Sequence, residues 1–542
     1  MKHRQTSLVL LLALLVIGGA FYLRQGTFLE EAGPEVDEAA SVPEEKAFLD
    51  YRPDEATEEV AGPTGPVIPK PDSHALSGEY TVSFPDSGSM EAFIEEAEAR
   101  GLRILGSIPE LGVIRVQGAG SALSPLLKEG MEVGLNYRMD APALPDPDLW
   151  EELNLAAFNG GVLDFLGVPA SEERLSWGTG MTIAILDTGW IDHAAFGDKT
   201  VRELDLVEGP REGEYSAHGT AVAGLIGSTN PFAPGVAPGS DLLAVRVLDG
   251  EGSGNSFTLA SGIIAAVDNG ADIINMSLGG HGNSQVLEEA VAYASERGVL
   301  LVAASGNDGA ARLTYPAAYE EVVGVTAVDA GGNRAPFSNF GAGVDVAAPG
   351  YQIHALWEND DFVYFDGTSA SSPLVAGMAS RILESGHAGT PEDVRHFIRD
   401  TANETGPPGY DSQYGEGILN AERIEASGES GIYDMALADI YPAIEESEGG
   451  TFPLYVTLEN RGTEYIAEST VEISVNGTPY HYRFSGLNEG AVESIQIPMS
   501  EISLENGDPY RISARVVLPD TVDDTRPGND SGNITLQKVP ED

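Results

Sequence analysis

Thr182-Ile183-Ala184-Ile185-Leu186-Asp187-Thr188-Gly189 is the stretch whose reading decides the fold. Its apolar run has no polar alternation and is too short for a helix, so it reads as a strand buried on both faces. Asp187 then stands at the strand's C-terminal edge, where Thr188-Gly189 turns the chain. Outward from it, apolar strands at 242–247, 273–278 and 299–304 alternate with small-residue helices near 258–268 and 285–297. That alternation over 170–428 predicts a doubly wound, mostly parallel α/β sheet, whose ligands lie beyond the carboxyl ends of the strands.

Two other stretches in this region carry reactive groups. His218 is followed by Gly219-Thr220 and a small-residue helix, and Ser369 lies in Gly367-Thr368-Ser369-Ala370-Ser371-Ser372-Pro373, which opens another helix with proline tolerated in its first turn. A serine hydroxyl becomes a nucleophile when a base takes its proton; a neutral histidine serves near pH 7, and a buried aspartate fixes that histidine's tautomer. Ser369, His218 and Asp187 fit those roles. Asn307, just after the strand at 299–304, is placed to aim its amide at an oxyanion, with the Ser369 backbone N–H as second donor. Singly each signal is modest: a turn, a surface histidine, a helix entrance. Together, in the order Asp, His, Asn, Ser, they point to acyl transfer.

The chain resembles the subtilases, the subtilisin-like serine proteases (peptidase S8). The likeness runs through Asp187-Thr188-Gly189, His218-Gly219-Thr220 with Ala223-Gly224, Gly235-Val236-Ala237-Pro238, Ser277-Leu278-Gly279, Ala304-Ser305-Gly306-Asn307, Ala347-Ala348-Pro349-Gly350 and Gly367-Thr368-Ser369 with Ser372-Pro373. It implies an endopeptidase with Asp187, His218 and Ser369 as triad and Asn307 in the oxyanion hole. Gly252-Ser253-Gly254 and Ser277-Leu278-Gly279 would be the two edges between which substrate lies as a strand. Ala303, Ala304, Ser305 and Gly306 would wall the pocket before the scissile bond, which implies broad acceptance of apolar side chains, with Asp308 adding tolerance for a basic one. Ala221, Ala370-Ser371 and Leu374 depart from frequent family residues without touching a reacting atom. The loop 227–234 is shorter than the family's common calcium loop and lacks its paired asparagines. The chemistry requires no cofactor; a structural calcium ion elsewhere is compatible with so acidic a chain, though no spacing identifies its ligands.

The flanks read differently. Residues 8–23 form an apolar run behind Lys2, His3 and Arg4, so 1–25 is expected to be a signal peptide or an N-terminal anchor and the protein extracytoplasmic, secreted or held at the cell envelope. The acidic stretch 26–74, rich in proline, is expected to be a disordered tether. Residues 75–140 read as a β-α-β-β-α-β unit, with a second helix near 121–128, and resemble a subtilase propeptide, implying an intramolecular inhibitor cut off between Tyr137 and Trp150. The protease-like region spans 141–430. Beyond it, 431–542 alternates as strands between Gly, Asn and Pro turns and is expected to be an antiparallel β-sandwich. It resembles immunoglobulin-like, adhesion-related modules and implies contact with a cell surface or substrate, or mere stabilisation.

Composition sets the outer limits. The chain has 542 residues, 42% of them hydrophobic, and 85 acidic against 29 basic side chains, a formal charge of −56. Disorder throughout is excluded, as is electrostatic binding to nucleic acid. Only six cations are lysine, a balance that fits a salt-tolerant surface or one that simply keeps the chain soluble. With no cysteine there are no disulfides, thiolate chemistry or cysteine-held zinc. The remaining histidines lack ligand spacing, and the glycines of 250–254 do not lead into a phosphate loop. The expected partners are protein or peptide substrates and the chain's own propeptide. The alternative is a catalytically silent surface-binding protein that presents its β-sandwich.

Overall fold

The computed structural model describes residues 66–142, 155–448, 450–500 and 509–537. The apolar run 8–23, most of the acidic tether and the downstream part of the expected cleavage window lie outside the described residues.

The first unit comprises β1 (Ala75–Ser83), a helix Ser87–Ala97, β2 (Arg103–Ile108), β3 (Val113–Gln117) and β4 (Glu132–Asp140). Asp86 caps that helix by accepting the Ser89 N–H at 2.8 Å. The helix expected over 121–128 is shorter: one turn at Gly120–Leu123, then a 3₁₀ turn at Ser124–Leu126. Pro125, which has no N–H to donate, stands where the α-helix stops. The end of the tether is tied in, since Asp72 accepts the backbone N–H groups of His74 and Ala75 at 2.8 and 3.1 Å.

The central sheet is built from β5 (Thr182–Asp187), β6 (Arg202–Asp205), β7 (Asp241–Arg246), β9 (Ile273–Met276), β10 (Leu300–Ala304), β11 (Val322–Val328) and β12 (Val344–Pro349), after a short β8 (Ser253–Asn255) that lies outside it. Its order is β12-β11-β10-β9-β5-β7-β6, with every neighbour parallel. From β5 the chain passes to the edge strand β6 and comes back to β7 beside β5, then crosses to the other side of β5 at β9 and winds on to β12. That reversal puts the carboxyl ends of β5 and β9 side by side at a switch point. Alternate side chains of β5 face opposite layers: Ile183 and Ile185 pack with the helices His218–Gly227 and Thr368–Ser385, Ala184 and Leu186 with Ser256–Asp268 and Gln285–Glu296. The second layer continues without a break into Tyr80, Val82, Phe93, Tyr137 and Met139 of the first unit, so the two units share one core.

A hairpin of β13 (Ile353–Leu356) and β14 (Phe362–Phe365) leads into the helix Thr368–Ser385. The C-terminal unit is a sandwich of two antiparallel sheets. One joins β15 (Met435–Pro442), β16 (Thr451–Asn460) and β19 (Val492–Ser500); the other joins β17 (Ile466–Val475), β18 (Thr478–Leu487), β20 (Tyr510–Val517) and β21 (Ser531–Leu536). Asn476 and Gly477 take φ of +48° and +84° between β17 and β18, the two left-handed positions a tight hairpin turn requires.

Candidate active site

The end of β5 and the start of the helix His218–Gly227 meet at Gly219. A Cβ there would lie 2.4 Å from the Gly189 carbonyl, so glycine permits the approach. Asp187 is fully buried; one carboxylate oxygen accepts the Thr188 N–H at 2.7 Å, and the two stand 2.8 and 2.9 Å from Nδ1 of His218. Pairing with a carboxylate assigns the Nδ1 proton and leaves the Nε2 lone pair able to accept one. Phe365 packs edge-on to the imidazole at 5.2 Å, and Tyr215 lies 6.1 Å away.

Ser369 stands in the first turn of its helix, where backbone N–H groups have no intrahelical partner. Its hydroxyl donates to the Ser277 carbonyl at 3.3 Å, while Nε2 of His218 is buried and has no hydrogen-bond partner among the described residues. To give a proton to the imidazole, the hydroxyl would first have to leave that carbonyl. Such catalytic contacts are commonly loose before a substrate engages. Beneath Ser369, Ser277 Oγ bonds the Ser369 carbonyl and Ser372 Oγ, each at 3.0 Å, and Asn275 donates to Ser277 at 3.0 Å.

Asn307 is oriented by Thr368, the residue before Ser369. Its Oδ1 accepts both the N–H and the hydroxyl of Thr368, at 3.0 and 2.9 Å, which turns Nδ2 to the other side. Gly367 adopts φ of +116°, and a Cβ there would come within 2.6 Å of that Nδ2, so glycine keeps the space before Ser369 open. Ala304 closes β10; Ser305 Oγ bonds the Asn339 carbonyl at 3.1 Å, and the Gly306 N–H bonds Thr368 Oγ1 at 3.2 Å. Burial pushes the carboxyl of Asp366, three residues before Ser369, above its usual range, against the lowering effect of its bonds with Gln352.

Between the two expected edge segments lies a strand of the chain itself. Arg138, Met139 and Asp140 pair antiparallel with Asn255, Gly254 and Ser253. Asp140 exchanges backbone bonds with Gly279 at 3.0 and 2.9 Å, and the Ala141 N–H reaches the Gly252 carbonyl at 2.7 Å. Gly252, Ser253, Gly254, Ser277, Leu278 and Gly279 thus flank one extended strand next to Ser369. Asp308 sits further along, its carboxylate 3.7 Å from Nε2 of His281. Sequence reasoning missed Tyr215, Phe365 and Thr368; of these only Thr368, inside the Gly-Thr-Ser triplet, carried a local signal.

The short loop 227–234 offers a cation little. The Asn230 side-chain oxygen accepts the Phe232 N–H at 2.8 Å, the Ala195 carbonyl accepts from Thr229, and Arg174 takes the Gly235 carbonyl. Among the described residues no three Asp, Glu or His side chains stand together as a metal site.

Comparison with known proteins agrees with this geometry. The subtilase family (Peptidase S8) model matches residues 178–417. Subtilisin Savinase of Lederbergia lenta is 39% identical over 258 residues, covering 47% of this chain and 94% of that protein. Alkaline elastase YaB of Bacillus sp. is 39% identical over 258 residues, 47% of this chain and 67% of its own, and a thermostable alkaline protease of Halalkalibacterium halodurans is 38% identical over 263 residues, 48% and 72%. A parallel sheet with these groups at its carboxyl edge defines a hydrolase of the serine-peptidase class. The chain belongs to the subtilase family and is a serine endopeptidase, whose chemistry needs no cofactor.

Proposed function

We propose that the protein is an exported serine endopeptidase made as a precursor that processes itself. His218 takes the Ser369 proton through Nε2 as Oγ attacks a peptide carbonyl, Asp187 steadies the imidazolium, and the proton then passes to the leaving amine. Asn307 Nδ2 and the Ser369 N–H receive the oxyanion, a contribution of roughly 2.7–4 kcal/mol for each donor. Water repeats the sequence on the acyl-enzyme. The observation that supports this reading best is the strand 138–141 laid between Gly252–Gly254 and Ser277–Gly279, because a segment in that place acts as inhibitor until it is cut and leaves.

Residues 75–140 are then the inhibitor and folding template, 1–25 directs export or anchors the precursor, and the sandwich 431–542 provides cell-surface contact. Peptide and protein chains are the substrates, with apolar side chains accepted before the cut. The silent surface-binding alternative has less support, since a binding relic has no need of four reactive groups held in this arrangement.

The test is Ser369→Ala in the full chain. The variant is expected to accumulate at precursor length and to lose fluorophosphonate labelling. Normal processing would show that another protease makes the cut. A melting temperature that falls on chelation would reveal a stabilising calcium ion.

A further inference from the structure

We propose that the substrate groove has an additional aromatic subsite, floored by Gly282, which takes an aromatic side chain two residues upstream of the one seated where Met139 lies. The proposal rests on the endopeptidase reading above and deepens it by naming a substrate class.

Side chains alternate along an extended strand. Tyr137, Met139 and Ala141 therefore share a face, and all three are buried in the core common to both units. Arg138 and Asp140 turn outward and pair with each other at 2.7 Å. The surface that receives the inward face is shaped by absent side chains. A Cβ on Gly280 would lie 2.4 Å from the Arg138 carbonyl and 2.8 Å from the Met139 sulfur. A Cβ on Gly282 would lie 2.0 to 2.4 Å from three ring atoms of Tyr137. At both glycines the nearest atoms belong to the strand, not to the protease, and neither takes a left-handed φ. The first atoms that a side chain there would meet are those of the groove's occupant.

The site is held rigid from behind. Gly280 and Tyr315 exchange backbone bonds at 2.9 and 2.8 Å, the Tyr315 ring packs on Tyr319 at 4.8 Å, and the Tyr319 hydroxyl is fixed to the Ser284 carbonyl at 3.0 Å. The occupant's backbone is held too, the Tyr137 N–H bonding Ser256 Oγ at 3.0 Å. Asp72, which meets the Tyr137 hydroxyl at 3.3 Å, leaves with the inhibitory unit. The Gly282 floor remains with the enzyme, continuous with the groove that binds the strand, and a flat ring fits it as Tyr137 does.

The test uses the processed full-length protein and two internally quenched peptides, one containing Tyr-Arg-Met-Asp-Ala-Leu-Ser-Gly and a twin with Ala for the Tyr. Burying most of a ring is expected to raise kcat/KM for the tyrosine peptide about tenfold over its twin. Gly282→Ala, whose methyl occupies the ring's place, is expected to bring that ratio close to one. Because both peptides are cleaved by the same preparation, the ratio is independent of how much of the variant folds. Equal cleavage of the two peptides by the wild-type enzyme overturns the proposal, as does a preference that survives in Gly282→Ala. Cleavage of neither by the wild type overturns the endopeptidase reading and this subsite with it.

Discussion

The side-chain oxygen of Asn136 accepts the backbone N–H of Phe257 at 3.1 Å and the Ser256 hydroxyl at 2.9 Å. A residue of the N-terminal unit thereby caps the protease helix Ser256–Asp268, whose own N-cap Asn255 accepts the Thr258 N–H at 3.0 Å. Asn136 is fully buried, and its amide donates to Glu79 at 2.8 Å and to Asn255 at 3.3 Å. The helix end is thus completed only while the unit is docked, which gives the unit a physical hold on folding.

Asn136→Ala is therefore expected to cost about 1 kcal/mol. In the uncleaved Ser369→Ala chain this lowers the melting temperature by about 2 °C, and in the active chain it slows the appearance of processed enzyme on refolding. The same change should leave the melting of processed protease untouched, because the proposed cut removes Asn136.

Asn307 has two faces, and they can be separated. Asn307→Leu removes the proposed oxyanion donor together with the acceptor that holds Thr368; Asn307→Asp keeps the acceptor and removes the donor. Both are expected to lower kcat by roughly 10²–10³ with little change in KM. Recovery of kcat in the aspartate variant would assign Asn307 to holding Thr368 instead.

Tyr215 closes the groove over the Ala141 position. A Cβ built on Gly252 comes within 2.9 Å of the Tyr215 ring and 3.1 Å of the Ala141 Cβ, so ring, glycine and alanine are packed together. Peptides with a small side chain at that position are expected to be preferred. Tyr215→Ala should raise kcat/KM for a leucine there about tenfold relative to alanine, measured with paired fluorogenic peptides.

What was legible in the sequence is what backbone events mark. Asp187 ends a strand, His218 and Ser369 open helices, and Asn307 follows a strand, so each could be placed from its neighbours alone. Tyr215 could not, because its role depends on the loop at 250–252 crossing in front of it. Asn136 is more than a hundred residues from the helix it caps, and nothing local distinguishes it from any strand asparagine. The strand Met435–Pro442 is hard to read locally, because its pairing with Thr451–Asn460 shifts register between Leu437 and Asp439, and such a bulge breaks the period-two pattern that would reveal it.

The junction between protease and sandwich is the place where pH should act. Glu459 on β16 accepts the Glu404 N–H at 3.0 Å and Arg461 at 2.8 Å and also meets Arg423, and these two arginines hold its carboxyl below the usual range despite its burial. The Glu404 carboxyl is pushed up to about 9 by burial and then by Glu459, with Asp411 and Glu416 adding to the effect. Burial likewise raises Asp411 to about 7, and raises Asp439, which accepts the Gly406 N–H at 2.7 Å. A folded-state value above the unfolded one means that the native chain keeps a proton the unfolded chain gives up. The stabilisation from Glu404 is then complete below about 4.5 and drains away as pH rises through about 9. Glu404→Gln, which stays neutral and still offers Gly409 an oxygen, is expected to flatten that decline, with a gain of about 2–4 °C at pH 9 and almost none at pH 4. Melting curves of the Ser369→Ala chain with and without the glutamine, run from pH 4 to 9, measure it; parallel curves would show that Glu404 ionises as an ordinary surface carboxyl.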